Sequence, residues 1–140
     1  MRHSPEVQMT EQLLRALIEG CREAIPLEAC GVLLGASDDA VLAVHDAVFI
    51  PNAAAAPEAS FAFEPSAWIA AAFAAQKSRR LVVGFFHSHP ASPPLPSDRD
   101  LRGWDGFGCH LIIGFRPSEA VRAYKANDDG TWEGLRLSLL

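Results

Sequence analysis

An uncharged apolar run, Leu81-Val82-Val83-Gly84-Phe85-Phe86, ends directly on His87-Ser88-His89-Pro90. β-Branched and aromatic residues without a polar break suit a buried strand, so the chain needs a sheet with helices packed on it. On such a strand His87 and His89 project from one face, with Cα atoms roughly 6.6 to 6.8 Å apart. Two imidazoles at that separation can converge on one divalent cation. Asp100 follows after a Pro-rich loop and can return a carboxylate to the same point. Two histidines and a carboxylate leave one position of a tetrahedral zinc open for water, as hydrolytic zinc sites require.

The remaining sequence supplies elements for that sheet. Thr10 is a plausible N-cap, and Leu13, Leu14, Leu17, Ile18 and Cys21 recur at helical spacing until Pro26 stops the helix. Cys30 to Gly35 and Ala40 to Ile50 read as strands, with a turn between them. An Ala-rich loop, Pro51 to Pro57, precedes a possible short strand at Ser60 to Phe63. Pro65 to Gln76 suits a second helix, with Pro65 in its first turn. Leu81 to His89, Cys109 to Phe115, Ala120 to Ala126 and Thr131 to Leu139 read as strands, and Ser97 to about Arg102 as the opening of another helix. Asn127-Asp128-Asp129-Gly130 joins the last two strands as a hairpin turn. The pattern predicts a single α+β domain, a mixed central β-sheet flanked by helices, behind a frayed N-terminus.

Composition narrows the function classes. The chain has 140 residues, 49% apolar and 21% charged, which suits one soluble globular domain. A formal net charge of −5 argues against nucleic acid as partner, since phosphate binding needs a basic surface. The apolar stretch Ala67 to Ala75 is far below the roughly 20 residues of a membrane span. Cys21, Cys30 and Cys109 form no C-x-x-C pair, and Met1 to Val7 has no apolar export segment, which together predict a reducing cytoplasm.

Each candidate site residue has a plainer alternative. A binuclear hydrolase would continue His-x-His-x-Asp-His, but Ala91 and Ser92 stand at the last two positions. A zinc deaminase would show His-x-Glu and Pro-Cys-x-x-Cys, which are also missing. Ser97 and Asp100 have the spacing of a helix capping box, which competes for the same carboxylate. Glu28, between a helix stop and an apolar strand, can serve as a base near a metal or simply be solvated. Cys30, two residues on, is either a thiol beside the metal or a small packing residue. Ser88 points to the opposite face from the two histidines. His3, His45 and His110 read as surface or satisfied core residues.

Taken together, Glu28 in Pro-x-Glu-x-Cys-Gly-x-Leu-x-Gly, His87-Ser88-His89-Pro90 and Ser97-x-x-Asp100 resemble the JAMM (MPN-plus) zinc metalloprotease family, of the small bacterial and archaeal type. The family pattern is Glu, then His-Ser/Thr-His-Pro, then Ser-x-x-Asp, and every element is matched. The resemblance implies a single MPN-type domain over residues 10–140, an α/β/α-like, cytidine-deaminase-like architecture, after a flexible N-terminus of residues 1–9. It implies one zinc per chain held by His87, His89, Asp100 and a water, with Glu28 as general base and Ser97 as oxyanion stabiliser. The activity implied is hydrolysis of an amide or isopeptide bond at the C-terminus of ubiquitin or a ubiquitin-like protein. The chain leaves little room for insertions that grip a second ubiquitin, so it is similar to members that process ubiquitin-like sulfur-carrier proteins. A non-catalytic MPN interaction module and a zinc hydrolase of small N-acyl amino acids or peptides remain as alternatives.

Overall fold

The computed structural model describes residues 4–97 and 108–140. Its elements run β1 (Glu6–Met9), α1 (Glu11–Ala24), β2 (Cys30–Ser37), β3 (Val41–Ile50), α2 (Pro65–Lys77), β4 (Leu81–His89), β5 (Cys109–Gly114), β6 (Ala120–Ala126), β7 (Trp132–Leu135) and β8 (Leu137–Leu139). The strands form one mixed sheet in the order β7-β6-β5-β4-β2-β3-β1-β8. β4 pairs β5 in parallel and β2 antiparallel, so the strand carrying the two histidines lies in the interior of the sheet. β7 and β8 stand at opposite edges although only Arg136 separates them in sequence, so the sheet coils until one C-terminal stretch borders both ends.

Residues 6–9 correct the expectation of a flexible N-terminus over 1–9. β1 pairs in parallel with both β3 and β8, and Val7 and Met9 are fully buried. Four residues give too short an alternation to stand out in sequence. Their burial comes from partners at the other end of the chain, with the Val7 N–H donating to Arg136 O at 2.8 Å. The predicted strand over Thr131 to Leu139 is two strands, and Ser60 to Phe63 contributes only an isolated bridge between Asn52 and Phe63.

Two apolar layers cover the sheet. On one side α1 sets Leu17, Ile18 and Cys21 against Val7, Leu33, Phe86, Leu111 and Ile113. The Thr10 hydroxyl caps this helix, accepting from Leu13 N at 3.0 Å. On the other side Trp68, Ala71 and Ala75 of α2 pack with Val32, Leu34, Phe63, Val82 and Phe85. Val82 and Phe85 share that side, three residues apart, because the β2–β4 register slips by one residue between Leu33↔Gly84 and Leu34↔Val82. Beyond the slip the alternation is regular, which puts Phe86 and Ser88 on the α1 side and Phe85, His87 and His89 on the other. Among the described residues no helix is long and apolar enough to cross a membrane.

Candidate metal centre and catalytic site

The two predicted imidazoles meet at the end of β4. His87 is fully buried and His89 nearly so, and their Nε2 atoms lie 3.0 Å apart. The other nitrogen of each ring is engaged elsewhere. His89 Nδ1 lies 2.9 Å from Pro93 O, and a carbonyl only accepts, so Nδ1 carries the proton and Nε2 presents its lone pair. His87 Nδ1 lies 2.7 Å from His110 Nε2. Phe61 stacks on the His87 ring with centroids 4.5 Å apart and planes at 21°. Nitrogen ligands at about 2.0 to 2.1 Å from a tetrahedral zinc stand about 3.3 Å apart, so this pair has nearly the separation that one shared cation requires. A ring nitrogen tied back to a backbone carbonyl, as in His89, is also the outer support that metal-binding histidines commonly have. The donor set fits a divalent metal of the zinc type.

Glu28 comes to the same place through its backbone. Its N–H donates to Pro57 O at 2.8 Å, and its carbonyl accepts from Asn52 Nδ2 at 2.9 Å. In the antiparallel β2–β4 register Cys30 faces His87. One step on, Ser88 N–H donates to Ala29 O at 2.9 Å, and Ala29 N–H donates to Ser88 Oγ at 2.8 Å. Glu28 directly precedes Ala29, so these two bonds bring its backbone segment against the end of β4. Glu28 is only 7% exposed, so its carboxylate is shielded from bulk solvent. Ser88, on the opposite face from the histidines, thus ties the Glu28 segment to theirs.

The loop after His89 is held by side chains far away in sequence. Tyr124 on β6 donates its hydroxyl to Pro94 O at 2.8 Å, and Phe115 N–H is shared between His89 O at 3.2 Å and Ser92 O at 3.3 Å. Gly114 allows this approach, since a Cβ there would lie 2.4 Å from Pro94 N and 2.6 Å from Pro93 C. The loop leads to Ser97, which is exposed. Asp100, the predicted third ligand, and the helix expected from Ser97 to Arg102 beyond its first residue lie outside the described residues. Among the described residues no three His, Cys, Asp or Glu side chains form a group that could hold a metal ion.

Cys30 follows its plainer reading. Its thiol donates to Ile50 O at 3.3 Å, and burial, with the nearby Glu28 charge adding, pushes it up to about 12. The thiol is thus committed to a backbone carbonyl. Asn52, His110, Tyr124 and Phe61 border the site without having been singled out for it in the sequence. Asn52 also donates to Ser60 O at 2.9 Å and accepts from Ala54 N at 3.0 Å and Ala62 N at 3.1 Å, which folds the Ala-rich loop around one amide. Pro51-Asn52 marks a turn, but nothing local tells that its partners include the backbone of Glu28. His110 interrupts the apolar strand Cys109-His110-Leu111-Ile112-Ile113, and a lone imidazole there was the one available signal.

Comparison with known proteins places the chain in a family. Residues 10–127 match the family of prokaryotic homologues of the JAB domain. A desampylase from Haloferax volcanii is 36% identical over 100 residues, which cover 69% of this chain and 70% of that one. A probable TtuB-protein conjugate cleaving protease from Thermus thermophilus is 31% identical over 103 residues, covering 74% of this chain but only 64% of the relative, less than two thirds of its length. The solution structure of a protein from Desulfitobacterium hafniense superposes with a TM-score of 0.85 at 28% identity, covering 96% of this chain and 92% of that one. A family match over most of the chain, on a fold that gathers His87, His89 and the Glu28 segment at one end of β4, leads to one assignment: the chain belongs to the prokaryotic homologues of the JAB domain.

Proposed function

We propose that this protein is a zinc-dependent peptidase of the JAMM type that hydrolyses an amide or isopeptide bond at the C-terminus of a ubiquitin-like protein, of the sulfur-carrier kind. The 3.0 Å approach of two imidazole Nε2 atoms, with a buried glutamate on the neighbouring strand segment, carries this reading. His87 and His89 would hold one zinc with Asp100 as the third protein ligand. A zinc held there would polarise a carbonyl and bring the pKa of a water from about 15.7 toward about 7. Glu28 takes the proton of the attacking water and returns it to the leaving nitrogen, a role that suits a carboxylate shielded from solvent and fixed by its own backbone. Ser97 donates its hydroxyl to the developing oxyanion, a contact whose loss costs about 2.7 to 4 kcal/mol in comparable hydrolases. Phe61 stacks on the His87 ring and so helps fix its plane.

The names of the two curated relatives, a desampylase and a protease for TtuB-protein conjugates, support a conjugated protein as substrate. The three cysteines are free and buried, which supports work in a reducing compartment, the cytoplasm. The test is incubation with ubiquitin-like carriers that bear a C-terminal extension or an isopeptide-linked partner, with and without a zinc chelator, and products read by mass spectrometry. Cleavage immediately after the carrier C-terminus, lost on chelation and restored by zinc, is the expected result. Carriers left intact while small N-acyl amino acids are hydrolysed would overturn the substrate assignment, and cleavage indifferent to chelation would overturn the metal.

A further inference from the structure

His110 is 1% exposed, and its neighbours along β5, Cys109, Leu111, Ile112 and Ile113, are all fully buried hydrophobics. An imidazole in that setting carries a desolvation cost that an aliphatic side chain would not, unless its nitrogens are used. Its ring meets His87 edge-on, with centroids 4.8 Å apart and planes at 72°, which aims Nε2 at His87 Nδ1 across 2.7 Å. Trp132 packs against it with centroids 5.9 Å apart. Neighbouring strands hold the pair in place, since β4 and β5 run in parallel register with Phe85 beside His110.

The proton in the 2.7 Å contact has two possible owners, and they have opposite consequences for the metal. If His110 Nε2 carries it, neutral His87 must keep its own proton on Nε2. That proton then points at His89 Nε2, 3.0 Å away, and fills the position a cation needs. If His87 Nδ1 carries it, His87 Nε2 is a bare lone pair, matching His89, whose Nδ1 proton is fixed by Pro93 O. Both arrangements hold the same number of protons, so the choice between them is one of tautomer.

We propose, on the zinc reading above, that His110 is a positioning residue that accepts a hydrogen bond from His87 Nδ1–H through its own Nε2, so fixing the His87 tautomer that opens Nε2 to the metal. The test uses the full chain as wild type, His110→Phe and His110→Gln. Phe keeps a ring in the cavity and removes the acceptor, whereas Gln can place Oε1 where Nε2 stood. The expected result is zinc affinity about 10- to 100-fold weaker in His110→Phe by chelator competition, with tight binding recovered in His110→Gln. Histidine-ring ¹⁵N spectra of the zinc-loaded wild type should show His87 protonated on Nδ1 and coupled across the hydrogen bond to His110 Nε2.

Zinc bound by His110→Phe as tightly as by wild type overturns the proposal, and equal weakening in Phe and Gln assigns His110 to packing alone. Thermal unfolding of the zinc-stripped proteins separates lost folding from lost affinity. Should His110→Phe fail to fold, the ring spectrum decides: coupling to His110 Nε2 supports the proposal and its absence overturns it. Wild-type protein that holds no zinc overturns the metal reading itself, whereas zinc held by wild type and by His110→Phe alike removes His110 only.

Discussion

On the side of β4 and β5 that meets α1, Phe86, Cys109, Leu111 and Ile113 are fully buried among Leu17, Ile18 and Leu33, while the opposite side of the same strands carries His87, His89 and His110. The first face is positioned by volume: each large apolar side chain contributes about 1.5 to 3 kcal/mol by leaving water, and many alternative rotamers would fill the space nearly as well. The second is positioned by directed contacts, His87 to His110 at 2.7 Å and His89 to Pro93 O at 2.9 Å. Packing alone tolerates shifts that a metal or a proton transfer does not. The division of labour across one pair of strands therefore separates stability from chemistry, and substitutions on the two faces should separate them too.

The largest expected effect lies on the polar face. Glu28→Gln keeps the size and the backbone clamps of the residue and removes the proposed base. Turnover should fall about 100- to 10,000-fold while zinc content and unfolding temperature stay near wild type. Metal analysis alongside single-turnover cleavage checks this, and turnover at the wild-type rate would remove Glu28 from the reaction. Leu111→Ala is its counterpart on the α1 face. It should cost about 2 to 5 kcal/mol of stability in denaturant unfolding, with zinc affinity changed little in the fraction that remains folded. If Leu111→Ala weakens zinc as much as a change at His110 does, the two faces are coupled through the strand and the division drawn above is too clean.

Ser88→Ala sits on the seam and should show both effects at smaller size. The Ala29 N–H loses its acceptor, at a cost of about 1 to 3 kcal/mol of stability. Because Ala29 follows Glu28, turnover should fall as well, though less than in Glu28→Gln, with zinc affinity retained. Loss of stability with unchanged turnover would make Ser88 a fold residue only, leaving the Asn52 and Pro57 contacts to hold the Glu28 backbone.

How much of this was legible in the sequence follows the same division. Elements with a long period and a local stop signal were readable: Thr10 capping α1, and β4 ending on His87-Ser88-His89. β1 was not, because only β3 and β8 make four residues into a strand. The cap of α2 is Glu64, whose carboxylate accepts from Ser66 N at 3.1 Å and Ala67 N at 2.8 Å, and glutamate is an unusual choice at that position. Convergence of the imidazoles could be expected from alternation. The contacts that hold His87, the Pro94 loop and the Glu28 backbone could not, since His110, Tyr124 and Asn52 act across long separations in the chain, where no spacing rule reaches.

Cys30→Ser should have the smallest effect, and its value is in the pH axis. Cys30 lies opposite His87 in the register, yet its thiol is committed to Ile50 O, and a hydroxyl can make the same bond. At neutral pH zinc content and turnover should match wild type, with stability changed by about 1 kcal/mol or less. The difference should open in alkali. The thiol is pushed up to about 12 in the folded protein, against about 8.5 in an unfolded chain, so between those values the native state keeps a proton that the unfolded state has lost. Unfolding is thereby favoured as pH rises through that window, and Cys30 contributes its full stability only below it. Denaturant unfolding at intervals from pH 8 to pH 11 should show a shallower fall for Cys30→Ser than for wild type. Some slope must remain, because burial raises Cys21 and Cys109 to about 12 as well. Parallel curves would mean that the Cys30 thiol ionises as easily in the folded chain as in the unfolded one, and a loss of zinc in the variant would return sulfur to the metal centre.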